Sequence, residues 1–231
     1  MNSGIRIKYL SASDDFPPPE NSLANGLLAA GGDLSPVRLE KAYSSGIFPW
    51  YDESTPILWY SPPVRCILRP DAFKTSASLK QKLKKGVFTL SIDRDFGGVI
   101  RGCANVKRKS DNGTWIIPAM ISAYTTLHEK GLAHSVEVWH ENRLAGGLYG
   151  VSIGKAFFGE SMFHYETDAS KAALHYLCKK LEEQKFHFID AQIPTNHLLS
   201  LGAENITRQG YMQLLEKALQ AETIRGSWEN L

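Results

Sequence analysis

Residues 133–163 read AHSVEVWHENRLAGGLYGVSIGKAFFGESMF. Ser135 to Trp139 and Leu144 to Ile153 are two strand-like runs on either side of a short polar turn at Glu141 to Arg143, a spacing that predicts a β-hairpin. Lys155 to Phe163 continues as a third strand. Next, Ala169 to Lys185 carries apolar residues at Ala173, Leu174, Leu177, Cys178 and Leu181, the period of a helix with one buried face. Phe186 to Gln192 then reads as a short strand ended by Pro194. Strands interleaved with helices in this way place the chain among α/β (α+β) folds.

Working outward, Ile116 or Pro118 to Lys130 predicts an amphipathic helix stopped by Gly131, Val87 to Ile92 a strand, and Ser78 to Lys85 a helix. Tyr211 to Ala221 predicts a closing helix. The first sixty or so residues differ. Phe16-Pro17-Pro18-Pro19-Glu20 is extended, and Asn25-Gly26 and Gly31-Gly32-Asp33 are further breakers. Ser35 as N-cap and Pro36 at the first position open a short helix through Ala42 or Tyr43, which Gly46 closes. Ile47 to Pro63 is aromatic and studded with proline, a piece that packs on a larger domain rather than standing alone. These shifts divide the chain into residues 1–63 and 64–231.

The composition is that of an ordinary soluble globular protein: 231 residues, formal net charge +2, 43% hydrophobic and 22% charged. That length buries a proper core and excludes a mini-protein that depends on staples. Cys66, Cys103 and Cys178 form no C-x-x-C, so they suggest neither a disulfide framework nor a zinc ribbon, and a reducing compartment is expected. No apolar run approaches the ~18–20 residues of a membrane span, and Met1 to Leu10 lacks the apolar stretch of a signal peptide. A cytoplasmic protein with no membrane partner is expected. The charge is unevenly spread: residues 65–109 hold 12 basic residues against three acidic ones, so the remainder is net negative. Such separation favours a polyanionic partner, though it also fits a merely solvated basic face.

Several catalytic strings come close and fail. Gly150-Val-Ser152-Ile-Gly154 has the letters of a nucleophile elbow, but that elbow needs a strand-to-helix turn and the continuation Lys155-Ala-Phe-Phe reads as strand. The same stretch lacks the first glycine and the final Ser or Thr of a phosphate-binding loop. The seven histidines form no H-E-x-x-H and no cluster with cysteine, so neither metal nor cofactor is expected. What remains as chemistry is polar residues among apolar ones. Glu160 lies in Ala156-Phe-Phe-Gly-Glu160-Ser-Met-Phe163, and Asp190 and Gln192 are two apart in a predicted strand, hence on one face. Each alone reads as a satisfied core polar group; all three at the ends of central strands read as a site.

A set of strings in order then carries a resemblance over nearly the whole chain. They are Asn25-Gly-Leu-Leu-Ala29, Gly31-Gly-Asp-Leu-Ser35, Gly46-Ile-Phe-Pro-Trp50, Ile57-Leu-Trp59 with Ser61-Pro62, Gly113-Thr-Trp115, Ala133-His-Ser-Val-Glu-Val-Trp139, Gly146-Gly-Leu-Tyr-Gly150, Gly159-Glu-Ser-Met-Phe163, Ala169-Ser-Lys171 and Ile189-Asp-Ala-Gln192. With them the chain resembles the leucyl/phenylalanyl-tRNA–protein transferase family. The resemblance implies a small N-terminal domain packed on a GNAT-type acyltransferase domain. It also implies transfer of Leu or Phe, with Met a further candidate, from aminoacyl-tRNA to the α-amino group of proteins beginning with Lys or Arg, marking them for degradation.

In that transfer Gln192, oriented by Asp190, is expected to contact the attacking amine or the ester carbonyl and to help move the proton toward the departing ribose oxygen, while Glu160 supports the arrangement. Whether Asp190 itself takes the proton stays open. Carried onto this sequence, the resemblance sets the terminal adenosine against Trp50 and Trp115, stacking that suits a single-stranded end; Trp50 also reads as an interdomain plug. It implies an apolar pocket for the transferred side chain from Leu148, Met162, Leu174 and Leu177, of which Leu174 and Leu177 also read as helix core. It turns Lys74, Lys80, Lys82, Lys84 and Lys85 toward tRNA phosphates, contacts that position without reading bases. Two other classes stay in view. An acetyl-CoA enzyme would need a pyrophosphate loop at a helix N-terminus, and the nearest string, Arg143-Leu-Ala-Gly146-Gly-Leu148, falls in the hairpin. A non-enzymatic tRNA-binding module would rest on the basic window and the aromatics alone.

Overall fold

The computed structural model describes residues 7–106 and 116–231. In chain order it contains β1 (Lys8–Leu10), β2 (Leu27–Gly31), α1 (Pro36–Ser44), β3 (Phe48–Pro49) and β4 (Leu58–Tyr60). There follow β5 (Val64–Leu68), α2 (Ala77–Lys84), β6 (Thr89–Ile92), α3 (Phe96–Asn105), α4 (Pro118–Glu129), β7 (Ala133–His140), β8 (Arg143–Ile153) and β9 (Ala156–His164). The chain closes with α5 (Ala169–Glu183), β10 (Phe188–Asp190), α6 (Asn196–Ser200), β11 (Glu204–Thr207) and α7 (Arg208–Leu219). Among the described residues β1 to β4 make one sheet in the order β1-β2-β4-β3, and the other strands make a second in the order β11-β5-β10-β9-β8-β7-β6. This is an α/β architecture in which a small N-terminal sheet accompanies a larger one.

Local chemistry explains the central hairpin. Glu141 and Asn142 both take positive φ, 48° and 61°, between the paired residues His140 and Arg143. Two left-handed residues make the tight turn whose twist matches that of its strands. Gly150-Val-Ser152-Ile-Gly154 lies in β8 and its exit turn, with Ser152 buried, and no helix follows it. Arg143-Leu-Ala-Gly146-Gly-Leu148 is likewise strand, with no helix N-terminus to grip a pyrophosphate. Helices cover both faces of the large sheet. Phe158 and Val151 point into a core with α1, α3, α4 and α7, whereas Phe157, Val136 and Val138 point into one with α2 and α5.

One reading of the sequence needs correction, and one helix went unread. The strand expected over Phe186 to Gln192 is only Phe188–Asp190, because Gln192 turns into the left-handed region at φ 54°. Asp190 and Gln192 therefore do not share a strand face. The helix α3 was not read, since Gly97, Gly98 and Gly102 depress helix propensity. Packing requires two of them: a Cβ would lie 2.1 Å from the capping Asp95 carboxylate at Gly98 and 2.5 Å from the Phe163 ring at Gly102. In the first sixty residues the breakers bound a buried strand, β2.

Parallel pairing of β10 with β9 ends at Asp190 opposite Phe158. Beyond it the chain stays with β5, the Ala191 N–H reaching the Cys66 carbonyl at 2.9 Å, while β9 stays with β8. A cleft opens where the two strands part. No described helix is long and apolar enough to cross a membrane.

Candidate active site

The cleft is a cavity of about 350 Å³, within the range of small-ligand sites. Leu148 from β8, Met162 from β9, and Leu174 and Leu177 from α5 form its apolar wall, with Leu198 of α6 beside them. Glu160 and Gln192 line the same cavity. The four residues expected to receive a side chain and two of the three expected polar ones are thus brought together.

Asp190 stands behind this cavity, fully buried, in a network that occupies both its oxygens. Arg65 donates from Nε to Oδ1 at 2.8 Å and from Nη2 to Oδ2 at 2.6 Å, the two-pronged geometry of a strong ion pair. The Tyr211 hydroxyl donates to Oδ2 at 2.8 Å, and the Gln192 backbone N–H donates to Oδ1 at 2.9 Å. Arg65 in turn donates to the Gly46 carbonyl at 3.0 Å and lies over the rings of Phe48 and Tyr211. Burial opposes its charge, but the Asp190 carboxylate outweighs that and holds its pKa above the ordinary value. Asp190 orients Gln192 through the backbone, not through the side-chain amide, and Arg65 belongs to this pair and not to a basic surface.

Gln192 is left with an unusual side chain. Its Nε2 is buried and has no hydrogen-bond partner, a state that costs about 1–3 kcal/mol unless something occupies the donor. Its left-handed backbone costs about 1–3 kcal/mol more, and such strain gathers at functional sites. The Cys66 N–H donating to the Gln192 carbonyl at 3.1 Å and the Asp190 bond hold it there.

Glu160 is the third polar group. Tyr43 of α1 donates to its Oε1 at 2.7 Å and Tyr124 of α4 to its Oε2 at 2.9 Å, and the two hydroxyl oxygens lie side by side. Burial raises the Glu160 carboxyl from 4.5 to about 7, against the pull of the two phenols. Burial also pushes both phenols well above their ordinary value. Tyr43, Tyr124, Arg65 and Tyr211 were not singled out from the sequence. A charged residue within the apolar run Arg65-Cys-Ile-Leu68 was a usable signal for Arg65; the tyrosines sit at core positions of their helices and gave none.

Trp50 is 43% exposed and packs against the Tyr60 ring at a centroid distance of 5.5 Å. Trp115 lies outside the described residues, as do Lys107, Arg108 and Lys109. Lys74, Lys80, Lys84 and Lys85 are exposed, whereas Lys82 is half-buried and donates to Asp168 Oδ2 at 2.9 Å. Among the described residues no group of three or more His, Cys, Asp or Glu could hold a metal ion. The three cysteines are buried, and burial pushes the Cys66 and Cys178 thiols up to about 11 and about 12.

The profile of the family described as Leucyl/phenylalanyl-tRNA protein transferase matches residues 67–216, and the profile of its N-terminal domain matches residues 32–63. A leucyl/phenylalanyl-tRNA–protein transferase of Maridesulfovibrio salexigens is 53% identical over 93% of this chain and 90% of its own length. Another, from Legionella pneumophila, is 53% identical over 92% of this chain and 95% of its own. Among solved structures, L-PGS from Bacillus licheniformis is similar at 12% identity and a TM-score of 0.39, covering 84% of this chain and 64% of that one.

Proposed function

This chain belongs to the leucyl/phenylalanyl-tRNA protein transferase family, and we propose on that footing that it moves Leu or Phe from aminoacyl-tRNA to the α-amino group of proteins beginning with Lys or Arg. Residues 64–231 act as the catalytic domain and residues 1–63 as the small domain that completes it, in the cytoplasm, where charged tRNA is found. The transferred side chain enters the cavity walled by Leu148, Met162, Leu174 and Leu177. The terminal adenosine stacks on Trp50 and Trp115, and Lys74, Lys80, Lys84 and Lys85 meet backbone phosphates.

The observation that carries this reading is the buried, unpartnered Nε2 of Gln192 in a cavity that pairs an apolar wall with the Glu160 carboxyl. An ester carbonyl held there supplies the missing acceptor, and the same bond strengthens as the oxygen gains charge during attack. The acceptor amine forms the new C–N bond and the C–O bond to the ribose breaks. Glu160, with its carboxyl near 7, takes the proton from the amine, and the departing ribose oxygen takes it on. Asp190 positions Gln192 and stays paired with Arg65. Aminolysis of an activated ester to an amide is downhill, so positioning supplies much of the acceleration.

The test is transfer of labelled leucine from charged tRNA to a protein with N-terminal Arg. Gln192→Ala should lower kcat by about 10²-fold with tRNA affinity retained. Asp190→Asn should lower activity and also lose about 3–5 kcal/mol of stability, because it strands the Arg65 charge. A wild-type protein that transfers nothing to Lys, Arg or Met N-termini would sink the reading.

A further inference from the structure

Five lysines of one sign in residues 74–85 invite a single role, but the structure separates one of them from the rest. Lys82 is half-buried on the side of α2 that faces α5. Its Nζ donates to the Thr167 carbonyl at 3.0 Å and to Asp168 Oδ2 at 2.9 Å. Asp168 is 9% exposed, and its other oxygen accepts from Lys171 Nζ at 3.0 Å. It takes φ 76° at the position that opens α5 and makes no capping bond of its own. Its carboxylate is thus spent wholly on the two lysines, beside a helix N-terminus that favours negative charge. α5 is also the helix that carries Leu174 and Leu177, half of the apolar wall of the cavity.

We infer that Lys82 is a positioning residue: the Lys82–Asp168–Lys171 cluster locks the helix that meets tRNA onto the helix that forms the aminoacyl pocket, so that Lys82 acts on the reacting end and not on the phosphates. This rests on the function proposed above. Lys82 spans the gap between the two helices, whereas Lys80 and Lys84, four residues apart, face solvent on the outer side of α2. Phosphates drawn to that outer face bear on a helix whose inner face is clamped to the pocket, which gives tRNA docking a mechanical route to the ester.

Two donors separate the roles: whole leucyl-tRNA and leucyl-adenosine, which has no phosphate backbone. Lys80→Met is expected to raise KM for leucyl-tRNA severalfold, an effect that shrinks as salt rises. Lys82→Met is expected instead to lower kcat severalfold with both donors and to leave the salt slope of tRNA binding at the wild-type value. Lys82→Arg, which keeps the ion pair, should restore most of that loss. Amide hydrogen exchange across residues 79–84 and 169–172 should quicken in Lys82→Met and not in Lys80→Met. If Lys82→Met behaves as Lys80→Met does, with a loss in KM for leucyl-tRNA alone and a shallower salt slope, Lys82 is a phosphate ligand and the inference falls. A wild type that transfers from neither donor defeats the proposed function, and the exchange comparison then decides the clamp by itself: quickened exchange upholds it and unchanged exchange ends it.

Discussion

Glu160 shows what burial does to one residue. Water is withdrawn from its carboxylate, the two phenols of Tyr43 and Tyr124 repay only part of that, and the proton is held up to about pH 7. The rate of transfer should therefore climb through an acid limb near pH 7, above which the acceptor amine, pKa ~7.7–8.0, adds its own limb. In Glu160→Gln the lower limb should vanish and the upper one stay, as read from kcat against pH. Stability follows with a definite sign. The folded pKa lies above the unfolded one, so the native state binds the proton more tightly and this contribution is complete below pH 4.5. It is lost as pH rises to about 7 and is flat beyond. Denaturant titrations of wild type minus Glu160→Gln should show that decline, and a flat difference would contradict the assignment. A buried glutamate in Gly159-Glu-Ser-Met-Phe163 was legible in the sequence as chemistry. The phenols that tune it were not, because Tyr43 and Tyr124 are 81 residues apart and meet only in the fold.

At the scale of elements, α2 is built from simple parts. Ser76 caps it by accepting the Leu79 N–H, Leu79 buries against α5, and Lys80, Lys84 and Lys85 are left in water. Each of these lysines replaced by Ala should reduce the slope of log K for tRNA against log salt by about 0.7–0.9, measured by filter binding at several salt concentrations, with little change in stability. Elements with a strong period or a clean cap, such as α1, α4, α5 and the β7–β8 hairpin, were readable because their own residues decide them. The glycine-bearing α3 and the three-residue strand β10 were not, since neighbours decide them: Phe163 demands the glycine at 102, and the Asp190 carboxylate turns Gln192 out of the strand. That last turn determines the site, for a Gln192 that continued the strand would not have reached the cavity with its amide free.

Across the whole molecule, the chain is closed by its last residues. Trp228 is 1% exposed, stacks on His134 at 3.8 Å, and gives its backbone N–H to Asp93 at 2.8 Å. It packs in the same core as Leu148, Leu174 and Leu177. Trp228→Ala should cost about 3–5 kcal/mol, seen as a lower denaturation midpoint at unchanged slope, and should slow transfer through the pocket wall it supports. Local patterning, turn chemistry and the ordered strings determined the α/β class, the hairpin, the helix that forms the pocket, the family resemblance and the candidate residues, because each depends on residues close in sequence. Only the tertiary structure decided what those residues do to one another: that Asp190 is held by Arg65, that Gln192 keeps an unpaired donor, that Glu160 is tuned by two tyrosines, and that Lys82 grips α5. Burial and charge pairing are set by partners up to 185 residues away, and no periodicity along the chain encodes which partner each side chain will meet.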